Sequence, residues 1–484
     1  MFGTGLIRTF YSCTADIPNI FKFGSRRLLS FQTITFPESD GTHGMANSES
    51  EPDKDTYSIE ATVETCPEAI RGRERSPFKS FQHRDYRYFW SGALISNTGT
   101  WMQTVAVGWV VYDITKTGNP SAALGVINFL NFLPTTLLTL FAGLFADRLN
   151  RKRLIIVAQT LLMIQALLLA RLTQVNAITI VLIGGLVLFG GVITAFVFPA
   201  WQAMLPDIVP KKSLLNAVAL NAAQFNGARL LGPLLGGLVF ARYGAAEVFY
   251  VNAISFLFVI AALALIHPRQ EQHARSCGGA LSTLTAGLKY TRENRQVAWL
   301  LISVLMLSLF GMPYITLMPV IAAQVLGQNA SGYAVLMGAS GLGAVIGALF
   351  VASLPPHVRR GLLIRAAVLG MGAALLAFSL SRNYYLSVGL VSLAGASLLT
   401  GSATAMTGVQ WAAPPRLRGR VMALFVLCFM GMQPFSSLGF GWLGGVIGPD
   451  SAVLAGAAVL LAYAFFLLLR PGLLAEPQEE RKAS

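Results

Sequence analysis

Gln202-Ala-Met-Leu-Pro206 returns 208 positions later as Gln410-Trp-Ala-Ala-Pro414, and this echo organises the whole chain. The same offset lays Arg151-Lys152 on Arg359-Arg360 and Gly236-Gly237 on Gly444-Gly445. Between these marks lie long apolar runs, each near the ~20 residues that an α-helix needs to cross a bilayer. Hydropathy sets twelve of them at 86–112, 121–145, 154–174, 177–200, 213–241, 245–267, 295–322, 331–353, 361–380, 384–407, 421–447 and 451–469. The offset carries spans 1, 3, 4, 5 and 6 onto spans 7, 9, 10, 11 and 12. An odd number of spans per repeat would invert the second copy, whereas six keeps it parallel. The expected fold is therefore an all-α integral membrane protein: twelve transmembrane helices in two parallel six-helix halves, related by an axis along the membrane normal, with a site between them.

The composition agrees. Of 484 residues, 54% are hydrophobic and 12% charged, against about 25% charged in soluble domains. A soluble core would not recur a dozen times at membrane-spanning length. The net charge of +14 invites a nucleic-acid partner, but the cations alternate between loops. Seventeen, from Arg148 to Arg420, fall on one side, while Lys116, Arg171, Arg242 and Arg382 fall on the other. That asymmetry predicts a cytoplasmic basic face and cytoplasmic termini. The five histidines sit in loops or at span edges and the four cysteines have no metal-like spacing, so neither a metal nor a cofactor is expected. No GxxxxGK[ST] phosphate loop occurs, which disfavours a nucleotide-driven pump. An embedded enzyme would need clustered His, Asp, Glu or Cys at bilayer depth, and the spans carry none.

Outside the spans, residues 1–80 are polar and aperiodic and read as a disordered extension. Arg8, Lys22, Arg26 and Arg27 among Ser, Thr and Phe also fit an organellar transit peptide, and Met45 offers a later start. The halves occupy 81–267 and 295–470. A central loop, 268–294, joins them, and 471–484 form a tail. Within the loop, Ala280–Asn294 is amphipathic, as a helix lying on a membrane surface would be. No segment outside the spans is long and apolar enough for a folded soluble domain of the kind a sensor would append.

The loop after span 2 reads Gly143-Leu-Phe-Ala-Asp147-Arg148-Leu-Asn150-Arg151-Lys152. It resembles the G-x-L-A-D-R-x-G-R-K signature of the major facilitator superfamily. Phe145 stands for the usual Leu and Asn150 for the second Gly, and Asn is expected to tolerate a left-handed turn there. Span 5 holds Gly232-Pro233-Leu-Leu-Gly236-Gly237, similar to that superfamily's antiporter signature G-P-x-x-G-G. Residues 199–233 (PAWQAMLPDIVPKKSLLNAVALNAAQFNGARLLGP) and 414–424 (PPRLRGRVMAL) look like the bacterial subfamily that includes the enterobactin exporter. The resemblance covers roughly 78–470. It implies a proton-coupled secondary transporter in the bacterial inner membrane, monomeric, that exports a small organic molecule (siderophore-like compound or drug) by alternating access. An importer of the same fold and a non-transporting sensor or scaffold are the alternatives.

Particular residues follow. A gate must hold in one state and release in the other. Asp147, beside Gly143, Arg148 and Arg151, could meet the positive start of span 11 and the guanidinium groups of Arg416, Arg418 and Arg420. The competing reading is that the cations merely set topology. In span 5, Gly232, Gly236 and Gly237 admit a close neighbour and Pro233 kinks the helix; simple packing explains them equally. Arg229 lies about 24 Å into span 5 at 1.5 Å per residue, where a cation costs about 2.5–3.5 kcal/mol. Asn221, Phe225, Arg229, Gly232 and Gly236 share a face about 80° wide, expected to face a cavity. Arg229 and Asn221 are thus substrate candidates, with a structural cation bonded to carbonyls as the other reading. Asn97, Thr100 and Thr104 in span 1, and Asn128 and Asn131 in span 2, are further candidates, although single polar groups also serve interhelical hydrogen bonds. No carboxylate lies mid-span to carry a proton; Asp113, Glu247 and Asp147 remain.

Overall fold

The structure is a computed structural model that describes residues 78–474 apart from 147–149, 269–279 and 356–357. These residues belong to one compact unit, Gly72–Ser484. The expected disordered extension and tail lie outside them, apart from residues 78–80 of the extension and 471–474 of the tail.

Six helices form the first half: α1 (Arg84–Thr115), α2 (Pro120–Ala146), α3 (Arg151–Gln174), α4 (Ile180–Ile208), α5 (Lys211–Tyr243) and α6 (Ala245–Leu265). After a connecting helix, Ala280–Glu293, come α7 (Arg295–Val325), α8 (Ala330–Ser353), α9 (Arg360–Leu380), α10 (Tyr384–Ala412), α11 (Arg418–Ile447) and α12 (Pro449–Leu469). Ten of the twelve are long and apolar enough to cross a membrane; α1 and α5 have the length but carry more polar residues. No strand occurs among the described residues.

Local chemistry sets the ends. Side chains of Asn150, Thr179, Asn294, Asn329 and Asn383 accept from backbone N–H groups in the first turns of α3, α4, α7, α8 and α10, which satisfies donors that a helix start leaves unpaired. This corrects the expectation for Asn150. Its φ is −67°, not left-handed, and its side chain caps α3 through the Arg153 N–H at 3.1 Å. Gly244 (φ +105°) and Gly448 (φ +95°) make the tight turns before α6 and α12, a conformation that favours glycine. The same turn thus recurs in each half.

Packing repeats as the sequence does. α2 packs on α4 as α8 does on α10, α3 on α4 as α9 on α10, and α3 on α6 as α9 on α12. The halves meet through α5 on α8 and α2 on α11, and under the 208-residue offset each of these junctions maps onto the other. A pseudo-two-fold relation follows.

Two helices depart from regularity where they pack on each other. α7 breaks into a π turn at Leu307–Gly311 before Pro313, and α11 does so at Leu427–Gly431 before Pro434. Both read Leu-x-x-x-Gly-Met followed within two residues by Pro. The proline removes a donor and the π turn absorbs the extra residue. The freed carbonyls are bonded across the pair: Ser308 Oγ donates to Phe429 O at 2.6 Å and Ser436 Oγ to Leu309 O at 2.7 Å. The connecting helix docks on the start of α11. Gly287 permits this, because a Cβ there would stand 2.9 Å from Arg420 O, and Tyr290 OH donates to Ala412 O at 2.9 Å.

Candidate functional site

Between the halves lies a cavity of about 360 Å³. Its walls come from α1, α2, α3, α4 and α6 of the first half and α7, α8 and α11 of the second. Glycine lets the halves close at the end away from the basic loops. A Cβ on Gly125 would sit 2.7 Å from Ser437 O and 2.8 Å from Gly441 Cα. One on Gly338 would sit 2.7 Å from the Leu234 side chain, and one on Gly341 2.7 Å from Arg229 O. Gly237 abuts Ala334, and Gly445 abuts Asn119.

Four expected residues line the cavity: Thr100, Thr104, Asn128 and Asn131. Three hydrogen bonds already use some of their polar groups. Thr100 and Thr104 hydroxyls donate to Ser96 O and Thr100 O, both at 3.0 Å, and Asn128 Nδ2 donates to Leu124 O at 3.0 Å. The reading of residues missed Gln103, Gln165 and Asn252, which join them. Asn252 is fully buried in α6 and donates to Gln103 Oε1 at 2.7 Å; Gly99 leaves room for it and for Ser255. Gln165 Nε2 donates to Leu186 O at 2.9 Å, against Gly190. Gln103 was legible, since it continues the Thr100–Thr104 face. Gln165 and Asn252 stand alone in apolar runs with no spacing to announce them.

Asn97, Asn221 and Arg229 lie outside the lining. The face of α5 that carries Arg229, Gly232 and Gly236 packs on α1, which corrects the expectation that it faces the cavity. The cause is the glycines on that face. A Cβ on Gly232 would meet Thr98 O at 2.8 Å, and one on Gly236 would meet Met102 Cα at 3.0 Å, so α1 fills the groove they leave. Asn97 accordingly bonds Gln224 Oε1 across α1 and α5 at 3.3 Å. Arg229 holds its guanidinium 5.7 Å from the Trp101 ring centroid, a cation–π contact worth about 0.5–2 kcal/mol. Pro233 is buried, and Gly237 of the same motif touches the second half.

At the basic end, Arg151 Nη1 donates to Asp207 Oδ2 at 2.9 Å and to Ala203 O at 3.2 Å, tying α3 to the end of α4. Asp207 is 3% and Arg151 12% exposed at the side chain. α4 runs past the expected end of span 4 and draws Asp207 inside. Lys152 Nζ donates to Ala264 O and Ile266 O at 3.0 and 2.7 Å, capping α6. Arg416, Arg418 and Arg420 are exposed at the start of α11. Asp147 and Arg148 lie outside the described residues, as does the surrounding of Gly143.

Two repeated halves of six long helices around a central cavity define a membrane transporter of the major facilitator type. A family model described as transmembrane secretion effector matches residues 75–483, and the chain belongs to that family. Its curated relatives include the staphyloferrin A transporter of Staphylococcus aureus, 26% identical over 275 residues, covering 56% of this chain and 68% of the relative. They also include the enterobactin exporter of Escherichia coli, 27% identical over 334 residues, covering 68% and 78%. Among solved structures, the nucleoside transporter NupG superposes with a TM-score of 0.62 at 14% identity, covering 80% of this chain and 98% of that one. A D-xylose–proton symporter also gives 0.62 at 14%, covering 79% and 97%. The family and these curated relatives are transporters, not enzymes.

Proposed function

We propose that the protein is a secondary active exporter of a small organic molecule, siderophore-like or drug-like, working by alternating access in the bacterial inner membrane. The observation that carries this reading is a cavity walled by both halves, with the glycine junctions gathered at the end away from the basic loops. With those loops and both termini in the cytoplasm, the cavity faces inward, ready to load a cytoplasmic substrate. The names of two relatives, an exporter and a siderophore transporter, support the direction and the cargo. Coupling to protons is inferred from the superfamily resemblance, and the protein is taken to work as a monomer.

Gly232, Pro233, Gly236 and Gly237 would seal the outer side, since the motif touches both α1 and the second half. Asp147, with Gly143, Arg148 and Arg151, would hold the inner gate against the start of α11, where Arg416, Arg418 and Arg420 are exposed. Inside-out vesicles test the proposal. With the lumen acidified, so that protons leave as substrate enters, the vesicles should take up at least one compound from a panel of iron chelators and lipophilic drugs, and an uncoupler should abolish the uptake. Uptake confined to right-side-out vesicles would make the protein an importer.

A further inference from the structure

We infer that the hydroxyl of Tyr333 is a binding contact for the transported molecule and takes a neutral oxygen acceptor, such as an amide or ketone carbonyl; this rests on the reading of the cavity as the cargo site. Four tyrosines are buried among the described residues: Tyr86, Tyr314, Tyr333 and Tyr463. Three of them bond their hydroxyls inside the protein. Tyr86 donates to Ala217 O at 3.0 Å, Tyr314 is bonded to Ser340 Oγ at 2.7 Å, and Tyr463 to Ser303 Oγ at 2.9 Å. Tyr333 is 2% exposed and lines the cavity, yet its hydroxyl has no hydrogen-bond partner among the described residues. A buried phenol ordinarily finds a partner, because an unbonded one forfeits its bond to water.

Both halves fix the position of this hydroxyl. The ring, from α8, stacks on Trp109 of α1, with centroids 6.1 Å apart and planes at 24°. The hydroxyl sits in the notch that Gly108 leaves, since a Cβ there would stand 2.7 Å from it. Thr104, four residues before Gly108, lies on the same face of α1 and also lines the cavity. Pro319 closes on the same notch, its Cγ 3.4 Å from that Cβ, and Met337 lies one turn along α8. Neither carries a charge or a donor. An ionised group would lose its water there with nothing to pair it, whereas a carbonyl oxygen would accept from the phenol. Thr316 and Gln433 are the other polar side chains that the second half places in the lining. Each already holds a bond, to Ser437 Oγ at 3.1 Å and to Met312 Sδ at 2.9 Å. A molecule held by Tyr333 and by Gln103 or Thr104 touches both halves at once.

Disulfide tethering reads this contact with defined probes. In full-length protein with Cys13, Cys66, Cys277 and Cys428 replaced by serine, Thr104→Cys places a thiol about 6 Å along α1 from Gly108, at 1.5 Å per residue. Met337→Cys on α8 is the second tether site. Each is equilibrated under 2-mercaptoethanol with the disulfides of N-acetylcysteamine and of pentane-1-thiol, and occupancy is measured by intact mass. The two arms are near-isosteres, one with an amide carbonyl and the other a hydrocarbon. Adding Tyr333→Phe should lower the amide-to-alkane ratio about two- to tenfold, the range of one hydrogen bond. The melting temperature should hold or rise, because the hydroxyl bonds nothing in the protein. An unchanged ratio, as a hydroxyl that binds only water would give, overturns the proposal, as do thiols that capture neither arm. A Tyr333→Phe variant that melts lower or fails to fold also overturns it, by showing the hydroxyl already engaged. The equilibrium is blind to the direction of transport, which the vesicle assay decides, so the two readings fail separately.

Discussion

Arg151 and Asp207 form a buried ion pair, 2.9 Å between Nη1 and Oδ2, that fastens the start of α3 to the end of α4. Removing one partner of a buried pair leaves the other uncompensated, a loss of about 3–5 kcal/mol. Arg151→Met, which strands the carboxylate, should lower the melting temperature in detergent more than Asp207→Asn, because the arginine is the more exposed of the two. Equal, negligible shifts would show that the pair contributes nothing to the fold.

Arg229 should matter to stability before it matters to binding. Arg229→Gln forfeits the contact with Trp101, and Trp101→Leu forfeits the same contact from the other side. Each should lower thermal stability by an amount consistent with about 0.5–2 kcal/mol, and the double variant by less than the sum. Additive losses would mean that the two residues do not interact.

The polar link across α1 and α6 should be tested at Asn252. Asn252→Leu strands Gln103 Oε1, which accepts its Nδ2 at 2.7 Å, and costs about 0.6–1.7 kcal/mol on the scale of interhelical bonds in membranes. Because Gln103 borders the cavity, ligand affinity should fall along with the melting temperature. A fall in melting temperature alone would make the link purely structural.

Much of this arrangement was legible in the residues. The offset that maps QAMLP onto QWAAP also maps the α2–α4 and α3–α6 packings onto their counterparts, because a duplicated apolar pattern buries the same faces twice. Thr100, Thr104, Asn128 and Asn131 were found because they are polar groups at helical spacing on apolar spans. Arg229 was misplaced for a definite reason. A polar stripe containing glycines looks cavity-facing by composition, yet glycine is also where another helix comes closest, and α1 took that face. The π turns in α7 and α11 had a signal, Gly-Met before Pro, but hydropathy averaged over a span cannot register one inserted residue. Asp207 fell beyond span 4 because the apolar run that defines the span ends near 200; α4 accommodates both Pro199 and Pro206 and continues to Ile208.

The junction glycines should govern which side is closed. A side chain at Gly125 has no space against Ser437 O and Gly441, so Gly125→Val should push α2 from α11 and admit water from the non-basic end. Gly92, which faces Ala262 within the first half, supplies the control. Gly92→Ala should perturb stability without changing accessibility. Deuterium exchange at the outer ends of α2 and α11 reads the difference, and protection unchanged in Gly125→Val would deny the junction its role.

Alternating access is the central claim, and side-specific labelling after cross-linking tests it most directly. Leu234→Cys with Gly338→Cys should form a disulfide across the α5–α8 junction, given the close approach of these residues. In sealed vesicles of this variant, a third thiol at Asn131 is exposed to an impermeant maleimide from one side at a time, with a proton gradient applied. Before oxidation the account predicts labelling from both sides. After oxidation it predicts labelling from the basic side only, with dithiothreitol restoring the other. Labelling from the non-basic side that persists through oxidation would contradict the account.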